Sequence, residues 1–136
     1  MQGFRLLVVD DVQVHRYLLQ TGLGRINPFM RIDVADSVSQ AQNLLMSESY
    51  DAVLCDWVMP VLGGNELLKW MRARPHFKFV PFIMISAETR NEEIIGAFVH
   101  LGIDDYVVKP FHSEVVYRKV VAAIEKAALK RNGISA

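Results

Sequence analysis

Ala52-Val53-Leu54-Cys55-Asp56-Trp57-Val58-Met59-Pro60 is a short apolar run that stops on a carboxylate and is followed by a proline-marked turn. Four apolar residues, β-branched at Val53, are too few for a helix, and without period-2 alternation they predict a strand buried on both faces. Asp56 then stands where that strand leaves the sheet. In open parallel sheets the crevice beyond the carboxyl ends of the strands gathers loops and helix N-termini, and ligands bind there. What meets Asp56 is therefore the functional question.

On the N-terminal side, Ser37 with Gln40 three residues later is a capping-box signature, and Val38, Ala41, Leu44 and Leu45 supply the buried stripe of a helix. Arg31 to Ala35 alternates polar and apolar residues, as suits an edge strand with one wet face. Val12 to Gly24 carries Val14, Leu18 and Leu19 at helical spacing and is expected to close on its glycines and Pro28. Phe4 to Val9 is nearly all apolar and ends on Asp10-Asp11, which predicts a buried first strand with two carboxylates at its carboxyl end.

On the C-terminal side, Gly63-Gly64 offers backbone freedom for a turn into a helix over Asn65 to Arg74, ended by Pro75. Pro81 opens a buried strand, Phe82 to Ile85, that ends on Ser86. Thr89 with Glu92 is a second capping box, for a fourth helix running to about Leu101 and stopping at Gly102. Tyr106 to Val108 reads as a fifth strand ending on Lys109-Pro110. Ser113 is expected to cap a fifth helix with Val116, Val120, Ile124 and Ala127 inward. Five strand-helix units with short joints imply an α/β fold of three layers: a doubly wound, five-stranded parallel sheet with helices on both faces. Residues 1 to 136 form a single domain, with the units in a core of about 4 to 130 and 131 to 136 as a tail.

The length of 136 residues suits one core, and 51% hydrophobic with 22% charged residues is a globular composition. Fifteen basic residues balance fifteen acidic ones, so no net field draws the chain onto nucleic acid or anionic lipid, and neither is expected as a partner. Cys55, the only cysteine, excludes an internal disulfide and a cysteine-built zinc site, and a reducing cytoplasm fits it best. The N-terminus has no basic segment or cleavage site of a signal peptide, and no apolar run approaches a membrane span.

Four of the five predicted strands finish on a polar group: Asp10-Asp11, Asp56, Ser86 and Lys109. Parallel strands place these ends on one rim, so three carboxylates, a hydroxyl and an ammonium should share a shallow pocket. Three adjacent carboxylates repel and stay ionised only beside a cation, and hard oxygen ligands suit Mg²⁺, or Mn²⁺ in its place, rather than zinc. A metal and a lysine beside one carboxylate are also the equipment for phosphoryl transfer, with Asp56 as nucleophile and Lys109 and Ser86 holding phosphoryl oxygens.

These residues resemble the receiver domains of two-component response regulators, the chemotaxis regulators among them. The likeness is carried by Val8-Val9-Asp10-Asp11, by Asp56-Trp57-Val58-Met59-Pro60 with Gly64, by Ile85-Ser86-Ala87-Glu88, and by Asp104-Asp105-Tyr106-Val107-Val108-Lys109-Pro110-Phe111. The resemblance, not the periodicity, implies the flavodoxin-like strand order 2-1-3-4-5. It implies that Asp56 accepts a phosphoryl group from the phosphohistidine of a histidine kinase or histidine phosphotransfer protein. It implies too that Asp11, Asp56 and the Val58 carbonyl bind Mg²⁺ directly and Asp10 mainly through water. Ser86 and Tyr106 match the family's switch pair, Ala87 its small neighbour, and Lys109-Pro110 its cis bond. A downstream protein would be met through the face of the fourth helix, fifth strand and fifth helix, where Ile94, Ile95, Phe98, Val99 and Leu101 form a stripe wider than one core face needs; most of them are expected to be buried, the rest to form a partner surface.

Val12 and Gly63 depart from residues usual in the family without removing a catalytic group. Val58 cannot hydrogen-bond an attacking water, whereas Glu88 could, and this pair is expected to tune the phosphate lifetime. The four histidines, His15, His76, His100 and His112, lack metal-ligand spacing and are expected at the surface or at helix ends. Arg72, Arg74 and Lys78, and Lys126, Lys130 and Arg131, read as solvated basic groupings. The expected function is thus a signalling phosphoacceptor and not a turnover enzyme. Two alternatives are a Mg²⁺-dependent aspartyl phosphohydrolase of the haloacid dehalogenase type, which needs an Asp-x-Asp absent here, and a receiver-like scaffold that acts without phosphorylation.

Overall fold

In the computed structural model, residues 3–87, 92, 96 and 100–133 are described. The elements follow in chain order as β1 (Arg5–Val9), α1 (Gln13–Ile26), β2 (Arg31–Ala35), α2 (Val38–Ser47), β3 (Ala52–Asp56), α3 (Gly64–Arg72), a 3-10 turn (Pro75–Phe77), β4 (Phe82–Ser86), β5 (Asp105–Val108) and α4 (Ser113–Arg131). Of the helix expected from Thr89 to Leu101, only Glu92, Gly96, His100 and Leu101 are described, the first three of them helical. Its cap at Thr89 and its apolar residues Ile94, Ile95, Phe98 and Val99 lie outside the described residues.

The strands form one sheet in the order β2-β1-β3-β4-β5, every neighbouring pair parallel, as the flavodoxin-like reading requires. β1, β3 and β4 are continuous apolar runs because both of their faces are covered. Leu7, Val9, Val53, Cys55, Phe82 and Met84 point to the face covered by α2 and α3. Their neighbours Leu6, Val8, Leu54, Ile83 and Ile85 point to the face covered by α1 and α4. Each such side chain removed from water contributes roughly 1.5–3 kcal/mol. Edge strand β2 is half-buried along most of its length, in keeping with its alternating pattern.

Several boundaries differ from the sequence reading. α1 runs through Gly22 and Gly24 to Ile26 instead of closing on them. Its buried stripe is Leu19 and Leu23, while Val14 and Leu18 are exposed, because counting four residues on from Val14 follows the outer face. α3 stops at Arg72, and Pro75 begins the separate 3-10 turn. Ser37 caps α2 as expected, its Oγ accepting from the Gln40 N–H at 3.1 Å, and Gln40 Oε1 accepts from the Asp36 N–H at 2.7 Å. α4 starts differently, with His112 at the cap position and Ser113 as its first residue, while Val116, Val120, Ile124 and Ala127 are buried as anticipated. The Lys109-Pro110 bond is cis, as the resemblance implied. No helix among the described residues is long and apolar enough to cross a membrane.

Candidate functional site

The strand order brings the carboxyl ends of β1, β3 and β4 side by side, with β5 next to β4. The Asp10 N–H donates to the Ala35 carbonyl, the Trp57 N–H to Ile85 and the Lys109 N–H to Ser86, so the residue after each strand is still tied to the sheet. Asp10, Asp11, Asp56, Ser86 and Lys109 therefore start from a rigid rim. Asp10, Asp56 and Ser86 are buried, Asp11 is exposed, and Lys109 is partly covered.

Two backbone approaches fix the Asp56 corner. A Cβ on Gly64 would lie 2.7 Å from the Asp56 carbonyl oxygen and 3.1 Å from Trp57 Cα, and one on Gly63 2.8 Å from the Trp57 carbonyl oxygen. These glycines are thus required by crowding. Gly63 has an extended backbone (φ −94°, ψ −178°), not the left-handed turn that a glycine pair suggests. The left-handed residue in this loop is Val61, φ 70°, fully exposed beside a Leu62 N–H to Pro60 carbonyl bond of 2.8 Å. A β-branched residue in that region is strained.

Asp10, Asp11 and Asp56 each offer a carboxylate oxygen within 4.8 Å of the others. Asp10 Oδ1 accepts from the Val12 N–H at 2.9 Å, and Asp56 Oδ1 from the Val58 N–H at 3.2 Å. The Lys109 ammonium lies 3.0 Å from Asp56 Oδ2 and 3.4 Å from Asp10 Oδ2. Burial pushes the Asp56 carboxyl above its ordinary range; the Lys109 hydrogen bond and charge oppose that shift, and the Asp10 charge adds to it. One ammonium among three carboxylates leaves negative charge in excess. An all-oxygen donor set with one exposed arm, Asp11, suits a hard divalent cation.

The structure also brings in residues that sequence reading passed over. His15, expected at the surface or at a helix end, does lie in the first turn of α1, but with its Nδ1 3.1 Å from both Asp10 Oδ2 and Lys109 Nζ. Arg16 Nη1 donates to the Asp10 carbonyl at 2.7 Å and anchors the strand end. The available signal was position, since both lie in the first turn of the helix that leaves the acidic pair. Val58 is 72% exposed, and Glu88 lies outside the described residues. Tyr106 is 38% exposed, and Lys119 Nζ sits 5.0 Å above its ring while donating to the Tyr106 carbonyl at 2.8 Å. Cys55 is fully buried, and its thiol is held well above its usual range by burial and by the charge of Asp56. At the opposite rim, the two basic groupings meet: Arg72, Lys78, Lys126 and Lys130 line one cavity of about 310 Å³.

Comparison with known proteins agrees with this geometry. The family model described as response regulator receiver domain matches residues 6–121. The chain is 33% identical over 122 residues to chemotaxis protein CheY of Pseudomonas aeruginosa, covering 90% of this chain and 97% of that protein. It is 33% identical over 125 residues to chemotaxis protein CheY-3 of Vibrio cholerae, covering 92% and 95%. Among solved structures, the Francisella response regulator 1452 receiver domain superposes with a TM-score of 0.80 at 29% identity, covering 91% of this chain and 98% of that one. Vibrio cholerae chemotaxis protein CheY4 superposes with a TM-score of 0.82 at 24% identity, covering 90% and 99%, and supports the fold alone. With the acidic rim, the strand order and these matches together, the chain belongs to the response regulator receiver domain family.

Proposed function

We propose that this chain is a phosphoacceptor in two-component signalling, taking a phosphoryl group onto Asp56 from the phosphohistidine of a histidine kinase or histidine phosphotransfer protein. The observation that carries the reading is the Lys109 ammonium 3.0 Å from Asp56 Oδ2 within a group of three carboxylates. In the transfer, an Asp56 carboxylate oxygen forms a bond to phosphorus as the donor's P–N bond breaks, and the departing imidazole takes up a proton. Bound Mg²⁺, or Mn²⁺, supplies charge neutralisation for the phosphoryl oxygens. Asp10, Asp11, Asp56 and the Val58 carbonyl are the groups that would hold it.

Lys109 and Ser86 complete the cradle as donors to the phosphoryl oxygens. Lys109 is already aimed at Asp56, and Ser86 ends the strand paired with β3. A phosphoryl dianion changes the protein only through contacts that differ between two states. The groups proposed to differ are Ser86 and Tyr106, whose ring stands partly in solvent beside Lys119. The face built from β5, α4 and the segment before β5 would then present the output to a downstream protein. Residues 4 to 130 act as one such unit on this reading, in the cytoplasm with its donor.

The test is intact-protein mass after incubation with Mg²⁺ and a small acyl-phosphate donor. One added phosphoryl group is expected on the parent and none on Asp56→Asn or after chelation. An adduct of equal yield on Asp56→Asn would overturn the assignment of the acceptor.

A further inference from the structure

His15 has no role in the transfer as described, yet it stands inside the cradle. Its Nδ1 is 3.1 Å from Lys109 Nζ and 3.1 Å from Asp10 Oδ2, and its side chain is 29% exposed. A neutral imidazole nitrogen either donates or accepts, so Nδ1 serves one of these neighbours. Were Nδ1 protonated, its N–H would donate to Asp10 Oδ2 but would also stand 3.1 Å from an ammonium that has only hydrogens to offer. With the proton on Nε2, Nδ1 accepts from Lys109. The three N–H groups of the ammonium then have one acceptor each: Asp56 Oδ2 at 3.0 Å, His15 Nδ1 at 3.1 Å and Asp10 Oδ2 at 3.4 Å.

These three acceptors differ in what a divalent cation does to them. Asp10 and Asp56 belong to the carboxylate group that could ligate it, while the grouping of potential metal ligands does not include His15. A cation therefore competes with Lys109 for two of its partners and leaves the third. We propose that His15 is a positioning residue for Lys109, the neutral acceptor that keeps the ammonium beside Asp56 while the carboxylates turn to the cation. The inference rests on the metal-dependent reading of the site and adds a residue to it. Without His15 the ammonium draws its hydrogen bonds from the carboxylates alone and contests them with the metal. Loss of His15 should then weaken Mg²⁺ binding, and only while Lys109 is present.

The experiment is calorimetric titration of the unphosphorylated full chain with Mg²⁺. It compares the parent with His15→Leu, His15→Met, His15→Asn, Lys109→Met and the double variant Lys109→Met/His15→Leu. One hydrogen bond at stake predicts a dissociation constant about threefold to tenfold higher in His15→Leu and His15→Met. His15→Asn, whose Oδ1 can accept in place of Nδ1, should remain within about twofold of the parent on the same scale. In the Lys109→Met background, removing His15 should change nothing, since the two act through one contact. Equal weakening in both backgrounds would make His15 a structural support of the pocket and overturn the proposal, as would unchanged affinity in both apolar variants. A parent that binds no Mg²⁺ would overturn the metal-dependent reading itself, an outcome distinct from the failure of His15 alone.

Discussion

Asp56 is pulled in two directions by its surroundings, and the balance has a measurable consequence. Burial raises its carboxyl above the ordinary carboxylate value, and Lys109 only partly opposes this. Between the unfolded and the folded value the native state holds more protons than the unfolded one, so stability is greatest below that window and falls as pH rises through it. In metal-free buffer Asp56→Asn should therefore melt at a higher temperature than the parent at pH 7. The gain should shrink as the pH is lowered through about 4 and vanish below it, where the parent carboxyl is protonated in both states. A pH series of thermal denaturation checks this, and a difference that stays constant over the series, or a lower melting temperature for the variant, would contradict it. Lys109 has the complementary character, a single cation with two carboxylates and the His15 ring nitrogen around it.

Among the elements, α1 and α4 are held close by the absence of a side chain. A Cβ on Gly22 would fall within 2.9 Å of Ser113 Cβ, on the first residue of α4. Gly22 accordingly lies inside a helix where its conformational freedom is a cost, roughly 0.5–1 kcal/mol relative to alanine, and close packing is its compensation. Gly22→Ala should thus destabilise the protein by about 1–3 kcal/mol despite alanine's better helix propensity. Ser113→Gly in the double variant should recover part of that loss. Denaturant midpoints measure both, and a Gly22→Ala protein more stable than the parent would show that the helices can yield at no cost. At the far rim, Arg72 joins α3 to the chain entering β4 and β5, donating to the carbonyls of Leu101, Phe77, Val80 and Gly102 and to Asp104 Oδ2. That commitment explains its burial and a guanidinium pushed below its ordinary range by desolvation, and it distinguishes Arg72 from the exposed lysines around the same cavity.

Across the whole molecule, the sheet was legible because its central strands are buried on both faces and so are written as unbroken apolar runs ending on polar residues. The order β2-β1-β3-β4-β5 was not legible in that way; periodicity records which faces are covered, not which strand lies beside which, and the order came with the family resemblance. Helix ends were read poorly where a residue served packing instead of the local backbone, as at Gly22 against Ser113. The rim residues Asp10, Asp11, Asp56, Ser86 and Lys109 were found because each stands at a strand end. His15 was not, because its contact depends on the angle at which α1 leaves β1, and no spacing among scattered histidines encodes that angle. The two basic groupings at the opposite rim escaped for a similar reason, since about fifty residues separate Arg72 from Lys126 in the chain and only the fold unites them. The central claim, that this fold exists to make Asp56 a phosphoryl acceptor, has a direct chemical test. Borohydride reduces an aspartyl phosphate to homoserine, so the protein treated with Mg²⁺ and an acyl-phosphate donor, then reduced and sequenced by mass spectrometry, should carry homoserine at position 56 and nowhere else. Homoserine at Asp10 or Asp11 instead, or a phosphoryl adduct that leaves Asp56 unreduced, would contradict it.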